Sequence, residues 1–400
     1  MRKNFFDATG IELHQYRNFT LGLFAWAFGN IEPSPCFDRN VLISQSIINT
    51  EEFSRYLTLE AKSIEQFKEK FAKSKTPLRL RVFDFRSTPL IEYLPDKFVC
   101  IDPYFLTERL GSGVFWTIFD SLAGGMRDRF SGVYGHLFEL YVDYIFRQFP
   151  ALASCFISFP EYANKPDEES LDGIIYYPET KHLIVLEYKS SWMKADAKYG
   201  GKIREFEREW VRKFVENEKN VAKGLGQIAN HLERIFHQVK NEREQLQAAD
   251  GKPVPFNSQN LTGTIEKVTP VLIVQEPALR GLFAEWLLNQ KFQELLQGKT
   301  ITAAIKINPL MVMHIDDLEG EVKPRLRSNI HPTTLEQIVN LRALRDPAYR
   351  SHLSEFIMDY FPREQVEPDV ESIEALNKVL QRAMESLFSE QALRLAMIQS

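Results

Sequence analysis

The stretch Leu171-Asp-Gly-Ile-Ile-Tyr-Tyr-Pro-Glu-Thr-Lys-His-Leu-Ile-Val-Leu-Glu-Tyr-Lys189 carries the clearest structural pattern in the chain. It predicts two short β-strands joined by a turn. Asp172 stands near the start of the first strand, and the second strand is an apolar run that ends in Glu187 and Lys189. Because successive side chains of a strand point to opposite faces, Glu187 and Lys189 share one face. Burying charged side chains at the end of a strand costs free energy unless they are paired or bind a ligand. The hairpin therefore indicates a functional site.

The segments on either side of this hairpin predict a mixed α/β unit. Residues 133–149 predict a helix that ends before Pro150, and residues 155–160 predict a strand. After the hairpin come a charge-dense link to about residue 219, a helix over 221–247 and a buried strand over 269–275. The predicted order between residues 130 and 315 is therefore helix, three strands, helix, strand. The buried stripe of the first helix is predicted to consist of Leu137, Leu140, Tyr141, Tyr144, Ile145 and Phe149.

The chain of 400 residues is long enough for two or three domains. Residues 1–128 predict an α+β domain of unknown role, which includes a strand over 78–85 where apolar and charged residues alternate. Gly124-Gly125 marks the boundary to a central domain over 129–320. Residues 321–400 predict a C-terminal helical region, because Leu and Ile recur there at helical spacing.

Composition narrows the class of protein. The apolar content of 44% and charged content of 26% are ordinary for a soluble globular protein. A net charge of -5 argues against a generally basic coat for nucleic acid but allows a local basic groove. Cys36, Cys100 and Cys155 have no paired spacing and fit a reducing compartment. Since no apolar leader or membrane-spanning run is present in the sequence, we expect a cytoplasmic protein without a membrane partner.

Acidic residues in and near the hairpin are suited to binding a divalent cation. Mg²⁺ and Mn²⁺ prefer oxygen ligands, and Asp172 and Glu187 would supply carboxylates. The main-chain carbonyl of Tyr188 would supply a third oxygen. Glu139, on the preceding helix, would bind a second ion or hold a metal-bound water. Such ions lower the pKa of bound water and neutralise charge on a phosphate, which is the chemistry of phosphodiester hydrolysis.

Two further residues are candidates for work on the reacting groups. Lys189 would orient or help to deprotonate the attacking water, or would stabilise the phosphate. Its charge state is open at this point, because it stands beside two acids and a dication. Gln227 would orient water or a phosphate oxygen from the following helix.

In these residues and their order, the chain resembles the PD-(D/E)XK nuclease superfamily, which has the restriction-endonuclease-like fold. The helix glutamate and the glutamine-bearing helix are most similar to its recombination-exonuclease and Holliday-resolvase-like branch. The resemblance covers less than half of the chain. The sequence departs from the pattern in having no Pro before Asp172 and in the long link between Lys189 and Gln227. The matching pieces are Gly135-His-Leu-Phe-Glu139, Leu171-Asp-Gly173, Val185-Leu-Glu-Tyr-Lys189 and Lys223-Gly-Leu-Gly-Gln227.

The resemblance implies an α/β fold with a PD-(D/E)XK core, in which a central mixed sheet is flanked by helices. It implies a Mg²⁺- or Mn²⁺-dependent nuclease that acts on nucleic acid, with DNA as the expected substrate. Defence against foreign DNA and repair are the settings that this family suggests. A protein partner or a homo-oligomer is left open.

Other interpretations of the same residues stay open at the level of sequence. Glu-x-Lys alone carries no weight, because it also occurs at Glu60, Glu179 and Glu321. One alternative is that the hairpin is a pair of surface strands, in which Glu187 and Lys189 form ordinary salt bridges. A catalytically inactive nuclease-fold subunit, acting as a scaffold or a nucleic-acid-binding component, is the main functional alternative. The basic residues from 194 to 223 would line a DNA groove or form an ordinary salt-bridged helix surface, since acids alternate with them.

Overall fold

The computed structural model describes a large part of the chain. It comprises residues 1–29, 35–44, 49–73, 82–152, 155–159, 161–162, 171–217, 219, 221–241, 246–247, 265–299, 301–327, 333–346, 350–361, 374 and 378. The chain divides into two compact units. One consists of Met1–Ser131, Tyr199–Gly201 and Asp369–Ser400, and the other of Gly132–Lys198 and Lys202–Pro368. No helix in the described part is both long and apolar enough to cross a bilayer.

The first unit combines a small sheet with helices around its own core. Its strands form a four-stranded sheet in the order β1-β4-β3-β2, and the core includes Phe19, Phe53 and Tyr56. The elements are α1 (Arg2–Thr9), α2 (Leu13–Gly29), β1 (Cys36–Asp38), α3 (Arg39–Ser44), α4 (Thr50–Glu60), β2 (Ala61–Ser63), α5 (Ile64–Lys73), α6 (Val82–Ser87), β3 (Leu90–Leu94), β4 (Lys97–Cys100), α7 (Pro103–Glu108), a π-helical turn (Arg109–Gly113) and α8 (Val114–Ser121).

The strand predicted over 78–85 is wrong for the residues that the structure describes. Residues 82–85 lie in helix α6, whereas residues 78–81 lie outside the described part. The reason is packing rather than local pattern. As part of a helix, Phe85 contacts Phe67 and Phe71 of α5, with ring centroids 5.3 and 5.5 Å away. Contacts between distant residues therefore override the alternation that favoured a strand.

The second unit is built on a larger mixed sheet with helices on both faces. Helix α9 (Gly125–Arg147) leads into it. The strands and helices that follow are β5 (Phe156–Ser158), β6 (Glu161–Tyr162), β7 (Gly173–Tyr177), β8 (His182–Lys189), α10 (Ala195–Tyr199), α11 (Ile203–Phe214), α12 (Leu225–Asn241), β9 (Leu246–Gln247), β10 (Lys267–Val274), α13 (Leu282–Leu296), α14 (Ile301–Ala304), β11 (Lys306–Ile307), β12 (Met311–His314), α15 (Ile315–Asp317), α16 (Lys323–Arg327), α17 (Leu335–Ala343) and α18 (Leu353–Tyr360). The predicted hairpin is confirmed, because β7 and β8 pair antiparallel within it.

The sheet runs in the order β11-β10-β8-β7-β5, and β12 also pairs with β10. The pairs β5–β7 and β7–β8 are antiparallel, whereas β10 is parallel to β8, β11 and β12. Strand β8 is therefore central, with a partner on each side. A strand in that position is buried on both faces, which explains its unbroken apolar run. The chain is thus an α/β protein with mixed sheets flanked by helices, and the general class predicted from the sequence is confirmed.

Alternate residues of β8 enter two different hydrophobic cores. Leu183 and Val185 pack against α11, α12 and α13, and we call this side the α12 face. Ile184, Leu186 and Tyr188 pack on the other side, the α9 face. The α9 face also takes up α17 and α18, so residues between 321 and 361 contribute to a core of the second unit. By the same alternation, Glu187 and Lys189 lie on the α12 face at the carboxyl end of β8.

The apolar stripe predicted on the first helix is largely wrong. Leu137, Leu140, Tyr141 and Tyr144 are between 43% and 60% exposed, whereas Ile145 and Phe149 are buried as predicted. The buried side of α9 consists of Phe138, Val142, Asp143, Ile145 and Phe146. The helix carries two apolar stripes, each at helical spacing. Only packing against the sheet decides which stripe is covered.

Candidate active site

Asp172 and Glu187 face each other across the β7–β8 hairpin. The ladder pairs Gly173 with Leu186, and one further step of this register sets Asp172 opposite Glu187. Glu187 is buried and Asp172 is half-buried. Burial raises the pKa of Asp172 well above its usual value, and the charge of Glu187 raises it further. The two carboxylates are thus held together by the backbone although their charges repel.

A main-chain hydrogen bond fixes Asp172 against β8. The N–H of Tyr188 donates to Oδ2 of Asp172 at 2.5 Å. On the other side of β8, the carbonyl of Lys189 accepts a bond of 3.3 Å from the N–H of Gln275. Because main-chain groups alternate in direction along a strand, the N–H and carbonyl of Tyr188 are both directed toward Asp172. The carbonyl predicted as a third oxygen ligand therefore points to the correct side of the strand.

Lys189 forms an ion pair within the same group. Its Nζ lies 2.6 Å from Oε1 of Glu187, and its side chain is 16% exposed. Burial lowers the pKa of Lys189, but the charges of Glu187 and Asp172 outweigh that effect and raise the pKa above its usual value. Lys189 is therefore a cation in this arrangement. A cation is suited to holding a phosphate oxygen or orienting a water, and not to accepting a proton.

Glu139 approaches the group from helix α9. Its carboxylate, 30% exposed, lies 3.5 Å from Nδ1 of His136. It is near enough to raise the pKa values of both Asp172 and Lys189. In the described ranges, however, no three or more His, Cys, Asp or Glu side chains are grouped closely enough to hold a metal ion. Glu139 therefore does not form a three-carboxylate cage with Asp172 and Glu187.

The donors that remain fit a hard divalent cation. Asp172, Glu187 and the Tyr188 carbonyl offer oxygen atoms, which Mg²⁺ and Mn²⁺ prefer. A dication would relieve the repulsion that raises the pKa of Asp172. Two protein carboxylates are also enough for Mg²⁺, which usually keeps several waters.

Asp143 belongs to the structural framework of α9. Its carboxylate accepts a hydrogen bond of 2.6 Å from Nε of Arg147 and another from the hydroxyl of Ser158. Ser158 ends β5, so this contact fastens the helix to the sheet. Asp143 is therefore buried, whereas Glu139, one turn earlier on the same helix, keeps a side chain that is 30% exposed.

Gln227 lies in the first turn of α12, as the position of that helix predicted. Its Oε1 accepts a bond of 2.8 Å from the N–H of Gly224, immediately before the helix. Gly224 has a φ of +39°, and a Cβ there would lie 2.8 Å from the carbonyl oxygen of Phe214, so the turn requires glycine. This contact of Gln227 is local to its own helix. Its predicted role toward water or phosphate stays a prediction.

The long link after Lys189 folds onto the α12 face. Trp210 and Phe214 of α11 enter the core that also contains Val185 of β8. Two bonds to the buried carboxylate of Glu276 secure the start of the link. The N–H of Met193 donates at 2.7 Å and Nζ of Lys198 at 2.5 Å. The link therefore covers the same face of the sheet that carries Glu187 and Lys189.

Sequence reasoning missed two residues beside the candidate site. The side-chain amide of Gln275 donates a bond of 2.8 Å to the hydroxyl of Tyr134 on α9. Next to Tyr134, a Cβ on Gly135 would lie 3.5 Å from the hydroxyl of Ser190, so the helix passes close to the end of β8. The sequence did contain a signal for Gln275. It is a polar residue directly after the buried strand β10, much as Lys189 is a polar residue at the end of the buried strand β8.

An open cleft of about 430 Å³ lies between α10 and α11. Its lining has four acids against three bases, so it is not a basic groove. The lining residues are Lys194, Asp196, Ala197, Glu205, Arg208, Glu209, Val211, Arg212, Glu216 and Asn217.

Comparisons with known proteins give no match: no family model, no curated protein and no solved structure is significantly similar to this chain. The functional interpretation of the group around Asp172 therefore depends on its own geometry.

Proposed function

We propose that the chain is a Mg²⁺- or Mn²⁺-dependent nuclease, with DNA as its substrate. The observation that carries the proposal is the meeting of Asp172 and Glu187 across one hairpin, with the Tyr188 amide bonded to Asp172 and Lys189 paired to Glu187. Two carboxylates and a lysine at the end of adjoining strands are the groups that phosphodiester hydrolysis with a metal ion needs.

The order and direction of the strands support this proposal. Along the chain, helix α9 is followed by the antiparallel strands β5, β7 and β8, then by helices α10, α11 and α12, and then by β10, which is parallel to β8; the short strands β6 and β9 form a separate two-stranded sheet. Apart from α10, α11 and the two short strands, this is the order of helix, three strands, helix and strand on which the resemblance to PD-(D/E)XK nucleases is based. Fold likeness alone does not give an activity, so the weight rests on the residues.

Each residue of the group has a distinct task under this proposal. Asp172, Glu187 and the Tyr188 carbonyl would hold the metal ion, and Glu139 would hold a water from the side of α9. When bound, the ion supplies charge neutralisation and a bound water of lowered pKa. The Tyr188 N–H keeps Asp172 oriented. Lys189, held as a cation by Glu187, would bind a non-bridging phosphate oxygen.

The direct test is a cleavage assay of the full chain with Mn²⁺ or Mg²⁺ on single- and double-stranded DNA. RNA of the same sequence is included in order to define the substrate. Cleavage should require the metal and should be lost in Asp172→Asn and Glu187→Gln. Undiminished cleavage by Glu187→Gln would refute the proposal.

One observation favours a second function, that of a non-catalytic nuclease-fold subunit that binds nucleic acid. Within the described ranges, no third side-chain ligand joins Asp172 and Glu187. Titration calorimetry with Mn²⁺ separates the two functions. A catalytic site should bind the ion, and binding should vanish in Asp172→Asn. A scaffold would give no heat that depends on Asp172.

A further inference from the structure

The link between β8 and α12 contains basic side chains of two kinds. Lys198 is paired with the buried carboxylate of Glu276, and Arg212 is paired with Glu209 at 2.7 Å. Glu276 and Glu209 are therefore each already paired with a cation. Lys194 and Lys213 differ from them, because neither forms an ion pair with an acid in the described part of the chain.

The fold nevertheless holds these two lysines close to other cations. The N–H of Lys194 donates to Oε1 of Glu209 at 3.3 Å, which places Lys194 beside α11. Lys213 follows Arg212 on that helix. Burial lowers the pKa of Lys213, and the charges of Arg212 and Lys194 lower it further, against the opposing charges of Glu209 and Glu276. Like charges kept together in this way are destabilising unless an anion neutralises them.

Main-chain contacts place this basic pair at the end of the sheet that carries the candidate site. Glu276 holds the N–H of Met193, the residue before Lys194, and its charge acts on Lys213. The residue before Glu276 is Gln275, whose N–H is bonded to the carbonyl of Lys189. Lys194 is thus anchored through Glu276 next to the carboxyl end of β8, and Lys213 lies near enough for the charge of the same carboxylate to act on it.

We propose that Lys194 and Lys213 form a phosphate-binding subsite for the backbone of the nucleic acid strand, next to the phosphate that is cut. The ligand class is the phosphodiester backbone, without base specificity, since a lysine contacts phosphate as a point charge. This inference rests on the proposed nuclease function. It also distinguishes Lys194 and Lys213 from Lys198 and Arg212, whose charges are paired with Glu276 and Glu209.

The test is nucleic acid binding measured by fluorescence anisotropy over a series of salt concentrations. The full chain is titrated into labelled single- and double-stranded DNA in EDTA, so that metal-dependent cleavage cannot occur. Lys194→Met with Lys213→Met removes both charges and keeps the apolar stems. Binding at low salt should weaken on the order of tenfold, and the slope of log K against log salt should fall by about 1 to 2.

Two control proteins make the outcome specific. Lys291→Met with Lys306→Met removes the same charge elsewhere. Lys306 is exposed, and in the sheet it lies opposite Lys267, the first residue of β10. That end of β10 is the one farther from the candidate site. This control should keep the wild-type slope. Lys194→Arg with Lys213→Arg should retain most of the binding, and melting curves check that each variant is folded.

The outcomes separate this inference from the proposed function. An unchanged salt slope in the Met variant, or wild-type protein that does not bind DNA at low salt, would overturn the phosphate subsite. Lysine-dependent binding without any cleavage in Mn²⁺ would support the subsite and reject the nuclease function. Cleavage by the wild type, together with equal DNA affinity in the Met variant, would support the nuclease function and reject the phosphate subsite.

Discussion

The N–H of Tyr188 donates a hydrogen bond to Oδ2 of Asp172 at 2.5 Å, and this bond orders the candidate site. It ties the carboxylate of Asp172 to the strand that carries Glu187 and Lys189. The bond also holds Asp172 near Glu187 in spite of their like charges.

Replacing Asp172 by Asn should stabilise the metal-free protein at neutral pH, or leave its stability unchanged. Asn keeps an acceptor for the Tyr188 N–H but removes a charge. Burial and Glu187 raise the pKa of Asp172 above its unfolded value, so the protonated form favours folding. That stability is complete below the unfolded pKa of about 3.9 and is lost as the pH rises through the folded pKa. The melting temperature of Asp172→Asn in EDTA should therefore match or exceed that of the wild type at neutral pH, and the difference should shrink in acid. A clear decrease at neutral pH would contradict this account.

Metal binding should release protons in mildly acidic solution. Since the raised pKa of Asp172 lets the metal-free site keep a proton, a cation must displace it. Calorimetric titration with Mn²⁺ in buffers of different ionisation enthalpy measures the number released. We expect the release to decline as the pH rises and the metal affinity to increase with pH. Equal heats in all buffers across this range would show that Asp172 is already ionised.

Breaking the pair of Lys189 and Glu187 should destabilise the second unit. Both side chains are largely buried, so Lys189→Met leaves a carboxylate without its cation. Loss of one partner of a buried pair costs roughly 3 to 5 kcal/mol, and removal of both partners costs much less. Urea unfolding should show this loss for Lys189→Met and a recovery of most of it in Glu187→Gln with Lys189→Met. Additive losses in the double variant would mean that the two groups do not interact.

Glu276 should control how firmly the link is attached beside the candidate site. Its carboxylate accepts bonds from Met193, Lys198 and Ala278. Glu276→Ala leaves these donors unsatisfied, whereas Glu276→Gln keeps an acceptor. Hydrogen exchange in residues 193–198 should accelerate strongly in the Ala variant and less in the Gln variant. The N–H of Phe159, bonded to the carbonyl of Asp172 elsewhere in the unit, serves as the internal reference. Identical exchange in both variants and the wild type would show that Glu276 does not anchor the link.

The hairpin was predictable from sequence because all of its signals are local. An apolar run, a turn and strand alternation place Asp172, Glu187 and Lys189 without knowledge of the rest of the fold. The covered side of α9 was not predictable in the same way, since Leu137 and Phe138 belong to two stripes of equal periodicity. Only the sheet, assembled from distant strands, selects the stripe that contains Phe138.

The contacts of Gln275 show the same limit at the site itself. Its position after a buried strand was visible in the sequence, but its bonds to Lys189 and Tyr134 depend on parallel pairing and on where α9 crosses the sheet. Gln227 illustrates the reverse case. Its helix, predicted over 221–247, is found over Leu225–Asn241, and residues 246–247 lie in strand β9 instead. The bond of Gln227 to Gly224 reflects a turn required by the local backbone.

Asp172 and Glu187 are proposed to form a metal-dependent nuclease site, and a cleavage assay in Mn²⁺ decides whether they do. The wild type, Asp172→Asn, Glu187→Gln and the control Lys291→Met are compared on the same end-labelled DNA. We expect cleavage by the wild type and by the control, abolished by EDTA in both, and losses of activity on the order of a thousandfold in both carboxylate variants. Absence of metal-dependent cleavage by the wild type, or wild-type rates in either carboxylate variant, would contradict the proposal.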